Sequence, residues 1–407
     1  MATSLEARQS EAEASFSAQG WPSRALEAWK TTPVKPLIAF GDGALAEPTA
    51  LLLEAAGDVL TSLGEASGPR LVLVGGHLVA ALSKFGTLQP SPRASDEALG
   101  TIAGLKDAPL IAMSGRALSD ALVVRGDEAA GETVEIVHVG VPGAGGSHAR
   151  VLLEAGQSQE MTVVEHFVTV SGDPSWTNSV TEVSVGPNAS VCHVQVLRGG
   201  PSACRTGNVT ARVDRDGRFH SHVVSLGGQI GRSEIQVQLA GQGASCDLNG
   251  LYVAAGESVL DNYTEIEHLA PHTSSDEVYR GVMSDRGVGG FVGRVLIHEG
   301  AIKSETHQLN NNLLLSPGAV VHTRPQLEID NDDVAATHGS TVGQLDDAAL
   351  FYLRSRGLRD EQARALMTWA FVKAQIDLLP TPELQELCAQ DVAQRLAVDS
   401  AWMGELD

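Results

Sequence analysis

The feature that most constrains the fold is an alternation of apolar and polar residues that runs from about Ile111 to Gly343. Thr133-Val-Glu-Ile-Val-His-Val, Thr181-Glu-Val-Ser-Val, Val191-Cys-His-Val-Gln-Val and Glu234-Ile-Gln-Val-Gln-Leu all carry a period of two. That period puts successive side chains on opposite faces of a β-strand. Glycine turns punctuate the zone at Gly186, Gly217, Gly241, Gly243, Gly256, Gly300 and Gly318. Several lead into a similar phrase, as in Gly243-Ala-Ser-Cys, Gly256-Glu-Ser-Val, Gly300-Ala-Ile-Lys and Gly318-Ala-Val-Val. A recurring turn-then-strand phrase points to a β-solenoid whose rungs share one core. The turn spacing is irregular, and on pattern alone a β-sandwich or jelly roll accounts for it nearly as well.

The flanks read differently. Residues 1–110 are Ala- and Leu-rich, with helices expected over Leu5–Gln19 and Pro48–Leu63 and short apolar runs such as Leu71-Val-Leu-Val between and after them. Residues 344–407 read as three short helices. Asp346 is the expected N-cap of the first and Gly357 the residue after its end. Asp360 is the expected cap of the second, whose apolar face reads Ala363, Leu366, Met367, Ala370, Phe371, Ala374. Thr381-Pro382 opens the third as N-cap and first-turn proline. Such a group serves equally well as a cap on the solenoid end or as a docking module.

Charge and composition exclude several functions. Lys plus Arg total 28 against 50 Asp plus Glu, a net charge of −22, which repels nucleic-acid phosphates and anionic membranes. No signal-peptide pattern opens the chain, and its longest apolar stretch, near Leu71–Leu82, is too short to span a bilayer. A soluble cytoplasmic protein is expected. Four cysteines, Cys192, Cys204, Cys246 and Cys388, have no C-x-x-C spacing, so neither a zinc ribbon nor a ferredoxin motif is present. Walker A, G-x-S-x-G and H-E-x-x-H motifs are also missing. Gly287-Val-Gly-Gly-Phe-Val-Gly293 has Val292 where a dinucleotide loop needs its third glycine. Histidine is the one enriched chemistry: all but one of the 13 lie between His138 and His338. His220 and His222 alternate along one expected strand and so face one side.

An ordered set of phrases follows: Glu267-His-Leu-Ala-Pro-His-Thr-Ser-Ser-Asp, Gly290-Phe-Val-Gly-Arg-Val, His307-Gln-Leu-Asn-Asn-Asn, Thr323-Arg-Pro-Gln-Leu-Glu-Ile, Thr337-His-Gly-Ser-Thr-Val-Gly-Gln-Leu-Asp and Leu350-Phe-Tyr-Leu-Arg-Ser-Arg-Gly. Together they resemble the shared C-terminal half of the SufB/SufD family of iron–sulfur cluster assembly scaffolds. Upstream, Glu27-Ala-Trp-Lys-Thr-Thr resembles the family's N-terminal tryptophan element and, with the modest length, favours the SufD branch. The resemblance implies a right-handed parallel β-helix (111–343) between helical regions 1–110 and 344–407. It implies a complex with SufB and the SufC ATPase, a nascent iron–sulfur cluster shared with SufB, no catalysis by this chain, and a homodimer when SufB is absent. It leaves open whether a flavin binds the assembled complex. Carried over by position, His338 is the candidate cluster ligand, placed at a turn before Gly339. Leu350, Phe351, Tyr352, Leu353, Arg354 and Arg356 are the candidate SufC contacts. Many SufD sequences have cysteine two residues before this histidine; here Ala336 stands there, so no local thiolate is available.

Two other functions compete. A β-helix enzyme acting on polysaccharide would need exposed aromatics and paired carboxylates, and aromatics are only 4% of the chain. A purely structural adaptor would need no metal contact.

Overall fold

The structure, a computed structural model, describes residues 5–89, 99–118, 121–129, 131–170 and 172–396. Seven helices lie among them: α1 (Leu5–Gln19), α2 (Lys35–Ile38), α3 (Ala50–Thr61), α4 (Pro109–Arg116), α5 (Asp347–Ser355), α6 (Asp360–Ile376) and α7 (Pro382–Arg395). The strands begin with β1 (Arg70–Val74), β2 (His77–Leu78), β3 (Leu122–Arg125), β4 (Thr133–Gly140), β5 (Arg150–Ala155) and β6 (Glu160–Thr169). They continue through β7 (Ser175–Val185), β8 (Ser190–Leu197), β9 (Ala203–Val213), β10 (Arg218–Ser225), β11 (Ile230–Leu239) and β12 (Ser245–Ala254). The last are β13 (Val259–His268), β14 (Ser274–Met283), β15 (Val288–Ile297), β16 (Glu305–Leu314), β17 (Val320–Ile329) and β18 (Ala335–Gly343).

From β3 onward the strands alternate between two sheets. Even strands form a 10-stranded sheet in the order β18-β16-β14-β12-β10-β8-β6-β4-β1-β2, and odd strands an 8-stranded sheet from β17 to β3. Apart from the β1–β2 hairpin, neighbours in both sheets pair parallel. This is a parallel β-solenoid with helices at both ends of the chain, the architecture expected above; the sandwich and jelly roll are excluded. The sheet also recruits Arg70–Val74, upstream of the alternating zone, through the pairing of β1 with β4.

A single residue in the left-handed region sets the corner before each even strand from β6 to β16. Ser158, Asn188, Asp216, Gly243, His272 and Lys303 all have positive φ, and each lies two positions before an even strand. Their N–H groups donate to Pro187, Arg215, Gln242, Pro271, Ile302 and Asp333, so every corner is bonded to the next. Gly250 and Gly281 do different work inside strands: a Cβ there would strike the Tyr279 and Tyr252 rings, which fill the lumen.

Inward side chains such as Val163, Val191, Phe219, Leu248 and Phe291 form one continuous core, each fully buried aliphatic contributing about 1.5–3 kcal/mol. Outward valines of the 10-stranded sheet, including Val194, Val224 and Val253, are covered by Trp369, Val372, Ile376, Cys388 and Val392 from α6 and α7. Helix α3 covers the β1, β4 and β6 end. Across the solenoid, α1, α4 and Trp29 cover the 8-stranded sheet.

The caps of α5 and α7 are as expected: Asp346 accepts from Ala349 N–H, and Thr381 from Leu384 N–H. Helix α6 corrects two expectations. Its N-cap is Arg359, with Asp360 already helical. Its buried face runs through Ala363, Trp369, Val372, Gln375 and Ile376, while Ala370 and Ala374 face solvent, because the helix lies against the sheet through its largest side chains.

Candidate functional site

The last turn is where the solenoid opens. Strand β18 pairs only with β16, and β17 only with β15. No other described strand stacks on either. Their side chains are correspondingly uncovered, with Val320, Ile329 and Val342 each more than 40% exposed. Thr323 and Ser340 hydroxyls bond across the mouth at 2.8 Å.

His338 lies inside β18, not at a turn following a strand: parallel pairing with β16 extends through Gly343. Two residues away on the same face, Ala336 packs against the interior core, so His338 stands on the lumen side of the final rung. It is exposed because no described rung follows. Opposite it is Gln308, and opposite that Glu277. Gln308 donates to the Glu277 carboxylate at 2.6 Å. Burial pushes the Glu277 carboxyl up to about 7, against the hydrogen bond from Gln308. A column of Glu277, Gln308 and His338 therefore leads from the dry lumen to the open end. A lone imidazole can bind iron but cannot hold a cluster unaided, and among the described residues no preassembled group of metal-ligating side chains occurs.

Helix α5 carries the second set of candidates. Phe351 is 73% and Tyr352 56% exposed, with the Arg356 guanidinium over the Tyr352 ring at 5.1 Å. Arg354 is exposed and pairs with Asp360 at 3.4 Å, and Leu353 is half-buried. Leu350 differs: it is buried and anchors the helix. Elsewhere the described aromatics are inward or covered, with Trp29, Trp176, Trp369, Tyr252 and Tyr279 all buried. An aromatic-lined carbohydrate groove is thus not formed among the described residues.

The N-terminal tryptophan element is a clamp. Trp29 stacks on the Arg232 guanidinium at 4.2 Å, and Arg232 pairs with Asp261 at 2.9 Å. Thr31 and Thr32 donate to the same Asp261 carboxylate, and Glu27 pairs with Arg324 on β17.

Sequence reasoning missed a buried ionic cluster in the lumen. Glu165, fully enclosed, accepts from His138 Nε2 at 2.6 Å, His193 Nε2 at 2.7 Å and the Thr181 hydroxyl at 2.8 Å. Burial alone would raise its carboxyl, but the two imidazoles outweigh burial and hold it well below the usual carboxylate range. Arg205 stacks on Phe167 at 4.3 Å and reaches Gln195 at 3.0 Å, which itself donates to Glu165. These residues lie on successive turns, so only the rung register brings them together. The cysteines are all free. Burial pushes Cys192 up to about 11 and Cys204 and Cys388 up to about 12, so at neutral pH they are thiols with little nucleophilic character.

Residues 138–371 match the family described as SUF system FeS cluster assembly, SufBD core domain. The match covers more than half of the chain and includes the open turn and α5. The chain belongs to the SufBD family. It is 29% identical to the iron–sulfur cluster assembly protein SufD of Escherichia coli over 393 residues, 93% of this chain and 90% of that protein. It is 31% identical to SufD of Bacillus subtilis over 238 residues, 56% of this chain and 53% of that one. A SufBD family protein of Synechocystis is 29% identical over 254 residues, 60% and 56% of the two chains. This SufBD protein thus acts in iron–sulfur cluster assembly, and none of its described helices is long and apolar enough to cross a membrane.

Proposed function

We propose that this SufBD protein is the SufD-type scaffold of a SufBCD complex, working in the cytoplasm and leaving ATP hydrolysis to SufC. The observation that carries this reading is the unfinished last turn, which leaves apolar side chains and strand edges free. A family member ending in a similar turn offers a matching surface, giving a pseudo-twofold contact with SufB, or a homodimer without it. His338 at that mouth supplies an imidazole to the nascent cluster, and SufB supplies the thiolates that Ala336 does not. Residues 344–407 divide the labour: α6 and α7 bind this chain's own sheet, while α5 presents Phe351 and Tyr352 to SufC. Exposed paired aromatics flanked by arginine are the usual anchors of an interface.

The test is reconstitution with SufB and SufC. His338→Ala is expected to abolish iron–sulfur absorbance while the complex still elutes intact. Phe351→Ala with Tyr352→Ala is expected to weaken SufC capture at least ~10-fold with SufB retained. Normal cluster formation by the first variant removes His338 from the site, and undiminished SufC capture by the second removes α5 from the interface.

A further inference from the structure

Away from the mouth, the outer face of the 10-stranded sheet carries a column of metal-ligating residue types. His220 on β10 stands opposite Cys192 on β8 and Asp247 on β12; Asp247 stands opposite Asp276 on β14, and Asp276 opposite His307 on β16. Parallel rungs space these side chains ~4.8 Å apart. His222 is two residues from His220 and shares its face. Much of the column borders a cavity of about 510 Å³ between the sheet and the end of α6, lined among others by His220, His222, Asp247, Asp276, Arg280 and Gln375.

Four lining residues have a buried polar atom without a partner, Ser221 Oγ and Arg280 Nε among them, and two of the four can accept from or ligate a guest. His222 is only 5% exposed and its Nε2 makes no hydrogen bond. Gln375, 2% exposed, brings an unpartnered Oε1 from α6. Orphaned buried polar atoms of this kind call for a ligand or ordered water. An imidazole nitrogen without a protein partner is a competent metal ligand. His220 Nδ1 contacts Asp247 Oδ2 at 2.7 Å, so these two side chains already stand together. Charge also favours a cation: two carboxylates line the cavity, and Arg280, the cation there, donates to the Phe371 carbonyl at 2.6 Å on the helix side.

We propose that His220, His222 and Asp247, backed by the Asp276 carboxylate, form a binding site for a divalent transition-metal cation. Two imidazoles and one carboxylate suit borderline metals such as Fe²⁺, Co²⁺ or Zn²⁺. The groups are not preassembled among the described residues; His220 and Asp247, whose side chains are 44% and 46% exposed, turn to close on the ion. Gln375 Oε1 accepts from a water on the metal. Cys192, opposite His220 on β8, lies on the far side of that histidine from Asp247 and stays outside the ligand set. The site is separate from His338 and needs no partner subunit.

Titration of the purified, chelator-treated full chain with Co²⁺, followed by visible absorption and equilibrium dialysis, tests this. Wild type is expected to bind one Co²⁺ outside the mouth, with a d–d spectrum of mixed nitrogen and oxygen ligation. His220→Ala and Asp247→Asn are expected to lose at least ~10-fold in affinity, and His338→Ala to keep it. Both point variants change half-exposed side chains outside the core, so melting curves close to wild type are expected. Wild-type affinity in His220→Ala and Asp247→Asn overturns the site. Loss of the same Co²⁺ in His338→Ala instead assigns it to the mouth and overturns the site equally, whatever the outcome of cluster reconstitution.

Discussion

Two lumenal carboxylates, one deep in the early turns and one near the mouth, show how position changes the meaning of the same side chain. Glu165 sits between two imidazoles and below a guanidinium-bound glutamine, and is held as a carboxylate. Glu277 has Gln308 as its side-chain donor, and burial pushes it up to about 7. The early lumen is a closed ionic assembly that cannot lose a member cheaply. The late lumen is a polar column whose carboxyl, raised to about 7, can change its proton, and it reaches the open end. A solenoid built of equivalent turns has thereby made one end of its interior permanent and the other responsive.

The same substitution at both sites gives the sharpest contrast. Glu165→Gln leaves buried His138, His193 and Arg205 without their anion, at a cost of about 3–5 kcal/mol, read as a large fall in the urea midpoint or as insoluble protein. Because its folded-state pKa is depressed, the Glu165 contribution is complete above the ordinary carboxylate range and is lost as pH falls through the lower, folded value. Glu277→Gln is expected to be mild and of opposite sign. A raised pKa means that the protonated form stabilises the fold below the ordinary carboxylate range and that this is lost as pH climbs toward about 7. The glutamine variant should therefore flatten stability between pH 5 and pH 7 and match or exceed wild type at neutral pH. Equal losses in the two variants would erase the distinction between the regions. The smallest effect on the isolated chain is expected for Val342→Asp, on the exposed last strand. Its melting should move by no more than about 0.5 kcal/mol, while self-association or SufB capture at the mouth falls. If Val342→Asp unfolds the chain, the mouth is part of the core and the comparison fails.

Much of this was legible in the sequence, and the parts that were not share a cause. Strand alternation and the caps at Asp346 and Thr381 are local signals, and they appear where expected. The repeat looked irregular because its corner geometry is mostly not carried by glycine: Ser158, Asn188, Asp216, His272 and Lys303 take the conformation that Gly131 and Gly243 take elsewhere. The face of α6 was misread because Ala370 and Ala374 are apolar by type yet too small to compete with Trp369 and Val372 for the sheet. Neither the Glu165 assembly nor the His220 column could be found without the register, since their members lie a full turn apart in the chain. His138 and His193 share Glu165's face but lie two residues off the positions directly opposite it, Ile136 and Gln195. The family phrases singled out His338 and α5 as candidates, but only pairing with Gln308 reveals that His338 looks into the lumen.

The coverage of the outer valines has a consequence for how the protein is born. Val164, Val194 and Val224 are completed early, yet their cover comes from Trp369, Val372 and Val392 near the far end of the chain. At ribosomal speeds of ~5–20 residues per second, the stripe around Val164 waits on the order of tens of seconds before α6 and α7 emerge. Each corner can bond to the one before it as it is made, so the spiral grows outward from its start. For most of that time one side of the nascent spiral is greasy and open to chaperones or to other nascent chains, and the closing of its last two helices is the step that ends the exposure.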